Sequence, residues 1–122
     1  MKNTTKSIED YLEAFYILYT NKEPLESARV ARFLNVSRPA VNKATQELVK
    51  MGFITKDPYS VVVFTPKGKK LAKKIYERHQ TLKLFLLSLG VSEKNAERDC
   101  CLLEHVLSEE TYQKIKKSLK NK

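Results

Sequence analysis

The sequence predicts a mainly α-helical fold in two lobes, the first of them ending in a short β-hairpin. Three observations predict it. Apolar residues recur at helical spacing through most of the 122 residues. Strand-like composition is confined to "FITKDPYSVVVFT", residues 53–65. Ser, Thr and Gly stand where helices would start and stop, so the periodic segments are bounded as well as patterned.

The elements follow in order. "TTKSIEDYLEAFYILYT" opens with cap candidates, and Ile8, Leu12, Phe15 and Tyr19 then repeat along one face to near "NKEP". Asp10 and Glu13 are three apart and share one side of this helix. Val30, Phe33 and Leu34 line a short second helix, and "NVS" is a tight connection. Ser37 caps a third helix, and Pro39 is tolerated in its first turn, which has no donors to lose. Val41, Ala44, Leu48 and Val49 are its apolar stripe, and Gly52 stops it. Two short strands flank the turn pair Asp57-Pro58. Thr65 caps a long helix with Pro66 at its first position, running to about Leu89. Gly90 ends it. Ser92 caps a helix through "SEKNAERDCCLLEHVL", and Ser108 caps the last, acidic at its start and basic at its end as the helix dipole prefers. A helix-turn-helix followed by a hairpin is the arrangement of a winged helix. The lobes divide near Thr65: residues 1–65 form the winged helix-turn-helix, and 66–122 an all-helical lobe.

Composition narrows the function classes. Apolar content of 42% suffices for a core. The polar start "MKNTTKSIED" has no apolar h-region, so no signal peptide is expected. The longest apolar stretch, "LFLLSLGV", is too short to span a bilayer. A cytoplasmic setting without membrane partners is expected, where thiols stay reduced. The net charge of +9 suits an anionic partner. Five Lys among the last nine residues read more simply as a solvated helix end.

Two motifs carry chemistry. The helix starting at Ser37 presents Ser37, Arg38, Pro39, Asn42 and Lys43 at its polar opening. Arg and Lys reach guanine or phosphate and Asn pairs with adenine, so these residues can enter a major groove. The bland reading is a solvent-facing helix; the wing and the basic balance favour duplex DNA. The second motif is "DCCLLEH", residues 99–105, with two thiols, two carboxylates and an imidazole. On a helix, Cys101, Glu104 and His105 stand at i, i+3 and i+4 and project on one face. All three are ligands for first-row metals. Cys100 lies about 100° around the helix and is expected in the core. Glu97 lies one turn before Cys101. Three ligands do not complete a site. The only other His is His79, and Asp10 and Glu13 are an unmatched acidic pair. An ordinary amphipathic helix with a paired Glu remains an alternative. So does a nucleophilic Cys101–His105 pair, although no oxyanion-hole loop accompanies it.

The chain resembles the diphtheria toxin repressor and manganese transport regulator family of metal-dependent transcriptional repressors. The resemblance lies in "IEDYLEAFYIL", "VARFLNVSRPAVNKATQELVKMGFI", "VVVFTPKGKKLAKKIYERH" and "CCLLEHVLSEE". It implies a metal site of Asp10, Glu13, His79, Cys101, Glu104 and His105. Asp10 follows the manganese-responsive branch, where the iron-responsive branch has Met, and Cys101 follows the iron-responsive branch, where the manganese branch has Glu. Lys83 stands where the iron branch has an acidic ancillary ligand. The third, SH3-like domain of the iron branch is not expected. The resemblance further implies a homodimer on a palindromic DNA operator, and repression of metal-uptake genes when metal is plentiful. Thiolate favours Fe2+, Co2+ and Zn2+, whereas carboxylates favour harder ions such as Mn2+. Fe2+ or Mn2+ is the expected effector, with Zn2+ or Co2+ as alternatives. A winged-helix regulator of a non-metal signal is the competing reading.

Overall fold

The computed structural model describes residues 5–57 and 62–120. In chain order these form α1 (Lys6–Thr20), α2 (Ser27–Leu34), α3 (Arg38–Lys50), β1 (Ile54–Lys56), β2 (Val62–Phe64), α4 (Pro66–Ser88), α5 (Glu93–Leu103) and α6 (Glu109–Lys120). The order is the one the sequence predicts. Pro58, half of the expected turn pair, lies outside the described residues. The chain divides into two compact units, Met1–Lys74 and Ile75–Lys122.

In the first unit α1 is the central element. Thr5 accepts the Ile8 N–H at 3.2 Å and starts it. Tyr11, Leu12, Ala14, Phe15, Tyr16 and Leu18 are all buried, so burial extends well beyond a single stripe. Tyr19, expected on the core stripe, is 42% exposed. It lies past the last core turn, where its ring stacks on Tyr16 at 5.9 Å, meets the Phe64 edge at 5.8 Å and carries Lys69 Nζ at 4.8 Å. Phe33 and Val49 also depart from expectation, at 57% and 41% exposed. The α2 and α3 stripes are narrower than the sequence pattern suggests, and Val30, Ala31, Val41, Ala44 and Leu48 fill them.

Local chemistry sets the connections. Asn35 ends α2 in the left-handed conformation, φ +55°, and the Val36 N–H returns to the Ala31 carbonyl at 3.0 Å. Gly52, φ +81°, ends α3 as expected. β1 and β2 pair antiparallel with Ile54 opposite Phe64, and Ile54 and Val62 point into the core. Thr65 joins hairpin to helix: its hydroxyl donates to the Gly52 carbonyl at 2.6 Å and accepts the Gly68 N–H at 3.0 Å. Gly68 is required by close approach, because a Cβ there would stand 1.7 Å from the Phe53 carbonyl oxygen.

The second unit comprises the later turns of α4 with α5 and α6. Leu82, Cys100 and Tyr112 are its buried centre, joined by Leu86, Leu103, Leu107 and Ile115. Ser92 and Ser108 cap α5 and α6 by accepting the Asn95 and Thr111 N–H groups. One expectation is corrected. α5 does not run on through His105; it ends at Leu103. The chain then tightens, with the His105 N–H on Leu102 at 3.3 Å and the Val106 N–H on Leu103 at 3.1 Å. The carbonyls beyond this point are turned toward α4. There Arg78, 3% exposed, donates to the carbonyls of Glu104 (2.9 Å), Leu107 (3.0 Å) and Ser108 (3.3 Å). Its guanidinium also lies 4.8 Å from the Tyr112 ring centroid.

Replacing Arg78 removes the side-chain donor to the Glu104 carbonyl, which is buried, and to the part-buried Leu107 carbonyl; the Ser108 carbonyl still accepts the Tyr112 N–H at 3.0 Å. Arg78→Met is therefore expected to destabilise the fold by roughly 2–4 kcal/mol, the scale of several lost charge-assisted hydrogen bonds. Urea unfolding of the variant against the unsubstituted chain measures it; a loss below about 0.5 kcal/mol would contradict the role given to this residue.

Candidate metal centre and DNA-reading helix

The second unit gathers His79 from α4 with Glu97, Cys100 and Cys101 from α5 and Glu104 and His105 from the turn after it. Glu104 is the unusual member. Its side chain is 1% exposed, and neither carboxylate oxygen accepts a hydrogen bond. Its nearest basic groups are His105 Nε2 at 3.2 Å from Oε1 and His79 Nδ1 at 3.5 Å from Oε2. A buried carboxylate is costly without compensation. The two imidazoles approach different oxygens of this carboxylate, and each imidazole–carboxylate pair offers donors of the kind a divalent cation takes.

His79 is oriented by its far nitrogen. Nε2 lies 3.1 Å from Glu97 Oε1, a contact that fixes the plane of the ring. Nδ1 then faces Glu104 Oε2 at 3.5 Å, Cys100 Sγ at 3.7 Å and Cys101 Sγ at 3.8 Å. Glu97 is itself held by Lys83, whose ammonium is 3.1 Å from Oε2 and 3.4 Å from Glu93 Oε1. Burial acts to raise Glu97, but Lys83 and His79 outweigh it and hold the carboxyl below its ordinary range. The same contact with Glu97 raises Lys83. Lys83 thus supplies a cation of the chain's own beside His79.

Cys100 is buried in the core as expected, yet its sulfur also reaches His79. The 100° between neighbours on a helix does not separate the two thiols, because the imidazole of α4 lies between them. Burial, and then the neighbouring Cys101, Glu97 and Glu104, push the Cys100 thiol up to about 12. Its proton is donated to the Glu97 carbonyl at 3.3 Å.

Asp10 and Glu13 belong to α1 of the first unit, one turn apart. Asp10 pairs with Lys6 Nζ at 2.7 Å, and Glu13 is buried. Glu9, which the sequence did not single out, is buried too.

The DNA-reading candidates lie on α3. Ser37 accepts the Ala40 N–H at 3.2 Å and fixes the helix start. Ser37, Arg38, Pro39, Asn42 and Lys43 are all exposed, while Val41, Ala44, Thr45 and Leu48 hold the opposite face in the core. Thr45 spends its hydroxyl on the Val41 carbonyl at 2.8 Å. Gln46, one turn beyond Asn42, is exposed on the same side and was not anticipated. Its signal was available: Gln pairs with adenine as Asn does.

Comparison with known proteins places these features in a family. Residues 3–62 match the N-terminal DNA binding domain of iron dependent repressors, and residues 65–122 match the iron dependent repressor metal binding and dimerisation domain. An uncharacterized HTH-type transcriptional regulator of Methanocaldococcus jannaschii is 39% identical over 114 residues, covering 92% of this chain and 91% of its own length. The transcriptional regulator MntR of Salmonella typhimurium is 41% identical over 104 residues, covering 85% of this chain and 66% of its own. Among solved structures, the manganese regulator SloR matches with a TM-score of 0.83 at 28% identity over 93% of this chain. The metal-dependent transcriptional regulator MtsR matches with 0.84 at 29% identity, also over 93%. The chain spans 53% of each of these two solved chains. It belongs to the iron dependent repressor family of metal-dependent transcriptional regulators.

Proposed function

We propose that this chain represses manganese- or iron-uptake genes in the cytoplasm, binding a palindromic operator as a homodimer with Fe2+ or Mn2+ as corepressor. The observation that carries the metal reading is Glu104, a buried carboxylate between two imidazoles with no hydrogen bond of its own. The ligands would be Glu104, His79, His105 and Cys101, with Asp10 and Glu13 as further oxygen donors, as the family resemblance implies. A divalent ion bound there supplies the positive charge that these donors lack. Each residue has a stated part. Glu104 brings a buried carboxylate, and Glu97 orients the His79 ring. Arg78 holds the turn that presents Glu104 and His105.

Residues 1–65 would read DNA, and 66–122 would bind metal and pair the subunits. The exposed apolar residues Leu84, Leu87, Leu89, Leu102 and Val106 favour pairing, since so many on one small unit exceed ordinary surface scatter. Two recognition helices related by a two-fold axis would meet half-sites about one duplex turn, or a multiple of it, apart.

Two measurements test this reading. Calorimetric titration with Mn2+, Fe2+ and Co2+ should find Glu104→Ala with His105→Ala weakened by more than about a hundredfold, since even outer-shell changes cost ten- to a hundredfold. Unchanged affinity would leave the non-metal sensor as the better reading. The second uses a duplex selected in vitro against the metal-loaded chain. There each of Arg38→Ala, Asn42→Ala and Lys43→Ala that touches a base should cost about 1–3 kcal/mol. A triple variant binding that duplex as tightly as the unsubstituted chain would remove α3 as the reading helix.

A further inference from the structure

We infer that Cys100, Cys101 and His79 form a second binding mode, a two-sulfur, one-nitrogen site for thiophilic cations such as Cd2+, Zn2+ or Cu+. The inference rests on the proposed metal centre for Cys101 and His79 and adds Cys100, which that centre does not use. All three residues lie in the second unit, so the site needs nothing from α1.

The geometry carries it. One ligand atom from each of the three residues lies within 4.8 Å of the others. The His79 ring is the shared partner: Cys100 Sγ is 3.7 Å from both of its nitrogens, and Cys101 Sγ is 3.8 Å from Nδ1. In a tetrahedral zinc site, bonds of about 2.3 Å to sulfur and 2.05 Å to nitrogen set the N···S edge at about 3.6 Å and the S···S edge at about 3.8 Å. The two N···S separations are of that size, but the Cys100 sulfur is equally close to Nε2, so on binding it must swing toward the Nδ1 side of the ring. Nε2 lies 3.1 Å from Glu97 Oε1, and Nδ1, the nitrogen that both sulfurs reach, is the one we assign to the cation. The bland account of Cys100 is a packed thiol donating to the Glu97 carbonyl at 3.3 Å. That bond uses the proton and leaves the sulfur lone pairs near His79. On binding, both thiols release their protons to solvent and two thiolates coordinate the cation.

Ligand softness then separates the two modes. Soft ions favour the two sulfurs, whereas harder ions favour Glu104 and the other carboxylates. A cation in the sulfur mode draws no ligand from Asp10 or Glu13.

The test uses Cd2+ alone on the full chain, without DNA. Thiolate-to-cadmium charge-transfer absorption counts the coordinated sulfurs. It should fall to about half in Cys100→Ala and in Cys101→Ala, and vanish in the double variant. Because Cys100 is buried and its variant can lose stability, X-ray absorption on the Cd2+-loaded unsubstituted chain serves as the second measurement, with two sulfur scatterers expected. One sulfur, with Cys100→Ala keeping the full band, would overturn this inference while leaving Cys101 in the proposed centre. No sulfur at all would overturn both assignments of Cys101.

Discussion

One buried guanidinium governs the second unit. Arg78 reaches from α4 to three backbone carbonyls, those of Glu104, Leu107 and Ser108, and so fixes the turn between α5 and α6. Glu104 and His105 are on that turn. A helix continuing through them would turn their carbonyls along its own axis and away from Arg78. Ending α5 at Leu103 gives the arginine its acceptors and places Glu104 between the two imidazoles. Hydrogen bonds to a charged donor are worth more than neutral ones, and leaving such acceptors unmet in a dry interior is costly. The folding requirement and the candidate chemistry therefore share one residue, adjacent in sequence to His79 and different in role.

The unmet carboxylate is the other half of the argument. Stability alone would not select a buried Glu104 that accepts no hydrogen bond; an apolar side chain of similar volume would pack there at lower cost. Such a group is retained where something else depends on it. Around it the chain has fixed what it can: Glu97 orients His79, Lys83 balances Glu97, and the caps at Ser92 and Ser108 set the helices that carry them. In the first unit, Thr65 and Gly68 perform the comparable service for the hairpin. Thr65 ties it to α4 by a hydroxyl bond, and Gly68 lets the helix approach the Phe53 backbone.

Much of this was legible in the sequence, because it was written in side chains acting locally. Thr5, Ser37, Ser92 and Ser108 accept the N–H groups that their positions predict, and Gly52 and Gly90 have the positive φ that a helix stop needs. The order of elements followed from those signals. What was not legible depends on groups that sequence does not distinguish. Arg78 bonds to backbone carbonyls, which every residue has. His105 was expected on a helix because periodicity cannot register that its turn is pulled over by an arginine 27 positions earlier. Cys100 was assigned to the core alone because helical angles describe one helix and not the imidazole that another inserts between its neighbours. Phe33 and Val49 were counted as core because apolar character marks what a stripe could bury, not how wide the partner surface is.

The central claim is that metal binding and operator binding are coupled through this chain. Coupling between two sites is reciprocal: whatever factor one ligand adds to the affinity of the other is returned in kind. The direct measurement is the affinity for Mn2+ or Fe2+ with and without a saturating selected operator duplex, set beside operator affinity with and without metal. The account predicts that each tightens the other by the same factor, on the order of 5–150-fold. Metal affinity that is unchanged by the operator would contradict it.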